Sequence, residues 1–133
     1  MNPILITNNP MVYQKITNIK VIFLKDSSLL EILIKVRDEI HRGAKLLTHP
    51  LTGSIKPNES PFKSILISRD ENRELNLESL NIISNSIEVV EKFLKDGYRK
   101  DMPIELMKDF QTIDLAIIES GVKNLGGRDG ESL

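Results

Sequence analysis

A chain of 133 residues, 40% of them hydrophobic, is long enough to bury one ordinary core and leaves little room for a second domain. Its charges nearly cancel, at a formal −1, and its aromatic share is only 5%. A general nucleic-acid binder needs a basic stripe or a stacking platform, so that class is set aside. With no cysteine, a disulfide framework, a thiolate nucleophile and Cys-based zinc or iron–sulfur sites are excluded as well.

The chain opens on a short apolar run, Met1 to Thr7, without a basic n-region or cleavage site. It reads as a strand rather than a signal peptide. No apolar stretch approaches the ~20 residues of a membrane span, and a cytoplasmic location is expected. Ile4-Leu5-Ile6 suits a strand buried on both faces. Asn9 followed by Pro10 predicts an N-cap and a short helix to about Thr17. Val21 to Leu24 is the second strand. Ser28 and Glu31 have the spacing of a capping box. Leu29, Leu33, Val36 and Ile40 then share one helical face, His41 and Arg42 occupy the last turn, and Gly43 fits the left-handed position past the helix end.

Lys45 to Thr48 is predicted as the third strand and Ser64 to Ser68 as the fourth. Between them, His49 to Lys63 is rich in Pro, Gly, Ser and Asn, and connections this long usually carry a role of their own or lack order. Asn76 caps the next helix, with Leu75 and Leu80 spaced as a hydrophobic staple. Its apolar series is Leu80, Ile83, Ile87, Val90 and Leu94, and Gly97 ends it. A last helix follows Asp101 and Pro103, with Leu106, Phe110, Ile113 and Ile117 as its expected core face and Gly121 as its stop. The expected organisation is one domain over 1–123 with a flexible polar tail over 124–133.

Strands alternating with helices imply an α/β fold. The expectation is a small, open, mostly parallel sheet of about four strands with helices on both faces, Rossmann-like or flavodoxin-like. The preferred strand order is 2-1-3-4. An antiparallel fourth strand is the alternative, because no helix is evident between strands three and four.

Open α/β sheets bind ligands beyond the carboxyl ends of strands where the winding reverses, here between strands one and three. That edge would gather Asn8, Asn9, Thr48 and His49, beside a helix N-terminus able to face an anion. The following loop adds Gly53, Ser54, Lys56, Asn58 and Glu59. Gly53 permits unusual backbone angles, while Ser54 and Lys56 offer a hydroxyl and a charge. The set is a candidate phosphate or carboxylate cradle, although no Gly-rich fingerprint or P-loop accompanies it. Each residue also has a structural reading. His49 can close a strand and bond a backbone carbonyl, Asn8 and Asn9 can serve as turn and cap, Thr52 and Ser54 can form turns, and Lys56 can be a solvated charge. Two unpaired histidines make a metal site improbable. No catalytic constellation is identifiable, Ser54 lacks a nucleophile elbow, and no cofactor can be assigned.

Several segments resemble the GrdX family: Ile4-Leu5-Ile6-Thr7-Asn8-Asn9-Pro10; Val36-Arg37-Asp38 with Ile40-His41; and Leu77-Glu78-Ser79-Leu80. The most specific is the loop, with Leu46-Leu47-Thr48-His49-Pro50-Leu51, Gly53-Ser54, Lys56-Pro57-Asn58-Glu59 and Pro61-Phe62-Lys63-Ser64. The resemblance covers roughly the first three-quarters of the chain. Members are small proteins encoded beside the glycine, sarcosine or betaine reductase genes of amino-acid-fermenting anaerobic bacteria. The resemblance therefore implies a role in that system but carries over no catalytic residue. Those reductases use selenocysteine and cysteine chemistry, which a chain without cysteine cannot supply.

Three functions are consistent with these readings. The first is an accessory, assembly or regulatory protein that contacts a glycine, sarcosine or betaine reductase component. The second is a binder of, or enzyme on, a small anionic phosphate or carboxylate compound, using the loop around His49. The third is a homodimer with that loop at its interface.

Overall fold

The computed structural model describes residues 2–51, 59–69, 74–96 and 102–125. The elements are β1 (Pro3–Thr7), α1 (Pro10–Lys15), β2 (Lys20–Phe23), α2 (Leu29–His41), β3 (Lys45–Leu46), β4 (Ser64–Ser68), α3 (Leu77–Phe93), a 3-10 turn (Leu94–Asp96) and α4 (Ile104–Leu125). This is an α/β fold with a four-stranded mixed open sheet.

Local signals set the helix starts. The Asn9 side chain accepts the Met11 N–H ahead of Pro10 in the first turn, and Ser28 and Glu31 close a reciprocal capping box. Asn76 accepts the Ser79 N–H at the start of α3. Past α2, Gly43 takes a φ of 103°, a conformation open mainly to glycine.

The sheet order is β2-β1-β4-β3, not 2-1-3-4. Only β1 and β2 pair in parallel, while β4 runs antiparallel to both β1 and β3. The mostly parallel expectation gives way to a mixed sheet. The physical reason is the connection: a parallel return needs a crossover, usually helical, and residues 47–63 have no helical periodicity. The chain comes back antiparallel and inserts β4 between β1 and β3. The two central strands are the continuous apolar runs Ile4-Leu5-Ile6 and Ile65-Leu66-Ile67, all buried.

Beyond its two ladder residues, β3 is finished irregularly. The N–H groups of Leu47 and Thr48 share the Leu66 carbonyl, a bulge-like pattern. Thr48 Oγ1 then accepts the Leu66 N–H, so a side chain stands in for the next ladder carbonyl. On the outer edge, the Leu46 N–H donates to Ser79 Oγ of α3, which satisfies a group an edge strand would leave open.

Strand alternation divides the core into two layers. Ile4, Ile6, Ile65 and Ile67 pack with Leu29, Leu33, Val36 and Ile40 of α2 and with Ile83, Ile87 and Val90 of α3. Leu5 and Leu66 pack with Val12 and Ile16 and with Leu115 and Ile118 of α4. Helices thus cover both faces, and each fully buried aliphatic side chain contributes about 1.5–3 kcal/mol. Tyr13 of α1 and Phe23 of β2 stack at 4.6 Å between centroids.

α4 departs from its expected face and its expected end. Its buried residues are Asp114, Leu115 and Ile118, whereas Ile113 is 40% exposed. The helix also passes through Gly121 to Leu125. Glycine serves close approach here: a Cβ at position 121 would sit 2.9 Å from Thr48 Cγ2 and 3.4 Å from Leu66 Cδ1. The expected stop at Gly97 and the tail after Leu125 lie outside the described residues.

At the other end of the sheet, the buried Glu39 of α2 gathers three cations. Lys35 lies 3.6 Å away, Arg42 donates at 3.0 Å, and Arg69 donates through Nε at 2.7 Å and also through Nη2. Burial raises the Glu39 pKa, but the Arg69 hydrogen bond and the charges of Arg69, Lys35 and Arg42 outweigh it and hold the carboxyl below its ordinary value.

Candidate functional site

Because β4 is antiparallel, its first residue, Ser64, lies beside Thr7, the last residue of β1. The carboxyl tip of β1 therefore meets the amino end of β4. β3 points the same way as β1 but is separated from it by β4. This arrangement governs where the polar residues of the β1 tip find partners.

Asn8 is buried, and its amide is fully used. Nδ2 donates to the carbonyls of Ser27 and Pro61, both at 2.8 Å, and Oδ1 accepts the Lys63 N–H at 2.9 Å. Asn9 is equally committed. Its Nδ2 donates to the Gln111 carbonyl and to Asp114 Oδ2, each at 3.0 Å, while Oδ1 accepts the Met11 N–H. Each amide has two N–H donors, and all four point into the protein.

A directed chain of hydrogen bonds runs through the same tip. The Asn9 backbone N–H donates to Thr7 Oγ1 at 2.9 Å, and the Ser64 hydroxyl donates to Asp114 Oδ2 at 2.7 Å. The 2.7 Å contact between Thr7 and Ser64 is then a donation from Thr7 to Ser64. The Ser64 backbone N–H completes the set on Asp114 Oδ1 at 3.1 Å. One carboxylate of α4 thereby ties together the ends of β1 and β4 and the first turn of α1. Such a fully satisfied network stabilises, whereas a half-satisfied one would be costly.

The electrostatics match this enclosure. Burial pushes the Asp114 carboxyl up, and the hydrogen bonds from Asn9 and Ser64 and the charge of Lys63 act against that rise. Burial pulls the Lys63 ammonium down, with the Asp114 charge acting in the opposite sense. Chemically, the arrangement is a pin. The Ser64 hydroxyl is buried, its proton is held by a carboxylate, and its oxygen receives Thr7, which leaves it unsuited to attack a substrate.

The other sequence candidates fall into two groups. Thr48 Oγ1 is held by the Leu66 N–H, His49 is exposed with Nδ1 accepting the Leu51 N–H at 3.0 Å, and Glu59 is exposed. Gly53, Ser54, Lys56 and Asn58 lie outside the described residues. Among the described residues no group of three or more His, Cys, Asp or Glu side chains is placed to hold a metal, and no helix is long and apolar enough to cross a membrane.

Sequence reasoning missed Asp114, Ser64 and Thr7. A signal for Asp114 was present. Leu115, Ile118, Val122 and Leu125 form a second apolar series on the last helix, offset from Leu106, Phe110, Ile113 and Ile117, and Asp114 borders it.

Comparison with curated proteins found no match, and comparison with solved structures found none. The GrdX family, described as GrdX-like protein, matches residues 4–123, which includes the β1 tip, the loop, β4 and Asp114; the chain belongs to that family.

Proposed function

We propose that this protein is a non-catalytic accessory protein of the glycine reductase system, acting in assembly or regulation through contact with a reductase component. The family membership carries this reading, since the family name points to that system. The β1 tip supports it. The asparagines best placed to greet a ligand at a strand end are committed to cap, turn and carboxylate, so the tip serves the scaffold. The absence of cysteine keeps the thiol step of the reductases away from this chain.

The test is affinity capture from cells grown on glycine fermentation, with an unrelated protein of similar size on the same support as the control. Enrichment of a reductase component by the native chain alone is the expected outcome. Recovery of no component under mild conditions would overturn the reading.

A further inference from the structure

A second, unrelated feature lies at the opposite end of the sheet from the tip network. A cleft of about 480 Å³ opens where β1 and β2 begin and β4 ends. That volume is within the usual range for small-ligand clefts, roughly 300–1,000 Å³. Its wall combines the apolar Pro3, Ile4 and Ile19 with the amide side chains of Asn2 and Asn18, and its two charged residues, Lys20 and Arg69, are both cationic.

The strand register explains why these cations converge. Ile4 pairs with Lys20 on one side and with Ile67 on the other. Arg69 lies two residues beyond Ile67, so alternation returns it to the same face, and Lys20 and Arg69 flank Ile4. The Arg69 backbone is anchored to the Asn2 carbonyl at 3.0 Å, and its guanidinium is held by Glu39 through Nε and Nη2. Of the five N–H donors of an arginine, that pairing uses two and leaves three in a fixed orientation. The Glu39 cluster sets three cations against one carboxylate, and Arg69 is the member that lines the cleft. Lys20 has no ion-pair partner among the described residues.

We infer that this cleft is a binding site for a small organic anion, whose carboxylate or phosphate head is held between Arg69 and Lys20 while a short apolar body rests on Pro3, Ile4 and Ile19. The Glu39–Arg69 pair positions the guanidinium in advance, which reduces the ordering cost of binding. Asn2 and Asn18 supply amide groups for the remaining polar atoms. This inference is independent of the accessory role, and either can fail without the other.

The test uses the full chain and amide NMR titration with ethyl phosphate, inorganic phosphate, butyrate and the neutral butyramide. Arg69 is left intact, because its loss would strand the buried Glu39 charge. Ethyl phosphate or butyrate should shift the amide signals of residues 2, 4, 18–20 and 69 in a saturable way, with butyramide inert. Lys20→Gln, at an exposed position, should weaken that anion about tenfold without lowering the melting temperature, the scale of one charge-assisted hydrogen bond. A stronger response to ethyl phosphate than to butyrate assigns a phosphate head, and the reverse assigns a carboxylate. Inorganic phosphate acting as well as ethyl phosphate would remove the apolar body from the proposal and overturn that part. No shift at tens of millimolar anion, shifts confined to other regions, an equal response to butyramide, or an unchanged affinity in Lys20→Gln would each overturn the site.

Discussion

Replacing Asp114 with alanine removes the acceptor for three donors at once: Asn9 Nδ2–H, the Ser64 N–H and the Ser64 hydroxyl. A buried donor left without a partner costs roughly 1–3 kcal/mol, so three would cost about 3–9 kcal/mol if nothing adjusted. Three adjustments reduce this. The Ser64 hydroxyl can turn, water can enter the space left by the carboxylate, and the folded state no longer carries a desolvated charge, whose penalty shows in the raised Asp114 pKa. A net loss of about 3 kcal/mol is expected, near the lower end for breaking a buried charged pair. At roughly 4 °C per kcal/mol for a chain of this size, the melting temperature should fall about 12 °C. Urea unfolding followed by circular dichroism measures the loss directly. In a double-mutant cycle with Ser64→Ala, the two changes should be non-additive by about 1 kcal/mol or more, because they share one hydrogen bond. A loss below about 0.5 kcal/mol for Asp114→Ala, or strict additivity, would refute the reasoning and reduce the network to a surface feature.

Other consequences follow from the same geometry. Gly121→Ala adds helix propensity, a gain of about 1 kcal/mol, but forces a methyl against Thr48 Cγ2, whose side chain cannot swing away without losing the Leu66 N–H. Overpacking of about 1–3 kcal/mol should prevail in chemical denaturation, and Thr48→Ser, which removes that methyl, should restore the stability of Gly121→Ala. Leu33→Ala in the fully buried face of α2 should cost about 2–5 kcal/mol by the same assay, and a loss under 1 kcal/mol would contradict its place in the core. The two buried carboxyls should oppose each other in pH dependence. Glu39 is held low when folded, so its stabilisation is complete above the ordinary glutamate range and is lost as pH falls through its folded value. Asp114 is held high, so the folded state keeps its proton longer and stability declines as pH rises from the ordinary aspartate range through that raised value. Stability measured across the acid range should therefore rise less steeply with pH in Glu39→Gln and more steeply in Asp114→Asn; slopes changing in the same direction would contradict both assignments.

The parts of the fold legible in the sequence are those governed by neighbours in the chain. Asn9, Ser28 with Glu31, Asn76 and Gly43 act through hydrogen bonds or backbone angles within a few residues, and each stands where its spacing predicts. The central strands were readable because residues buried on both faces must be apolar without alternation. Strand order was harder to read, because the connection from Leu47 to Lys63 has no periodicity that tells an antiparallel return beside β3 from a crossover. The face of α4 was obscured by its own chemistry. Its inward side includes Asp114 and Gly121, one charged and one without a side chain, so Phe110 and Ile113 gave a stronger apolar signal than the residues that pack. The tip network was hidden for a related reason. Thr7, Ser64 and Asp114 are separated by 50 residues or more, and only the antiparallel pairing of β4 brings them together.

The accessory role rests on physical association, and purified components test it most directly. The native chain is mixed with each glycine reductase component in turn, and the molar mass of the eluting species is followed by light scattering. The account predicts a defined complex with at least one component, formed without turnover and without added thiol. Elution of every mixture as its separate parts, at concentrations well above those in the cell, would contradict it.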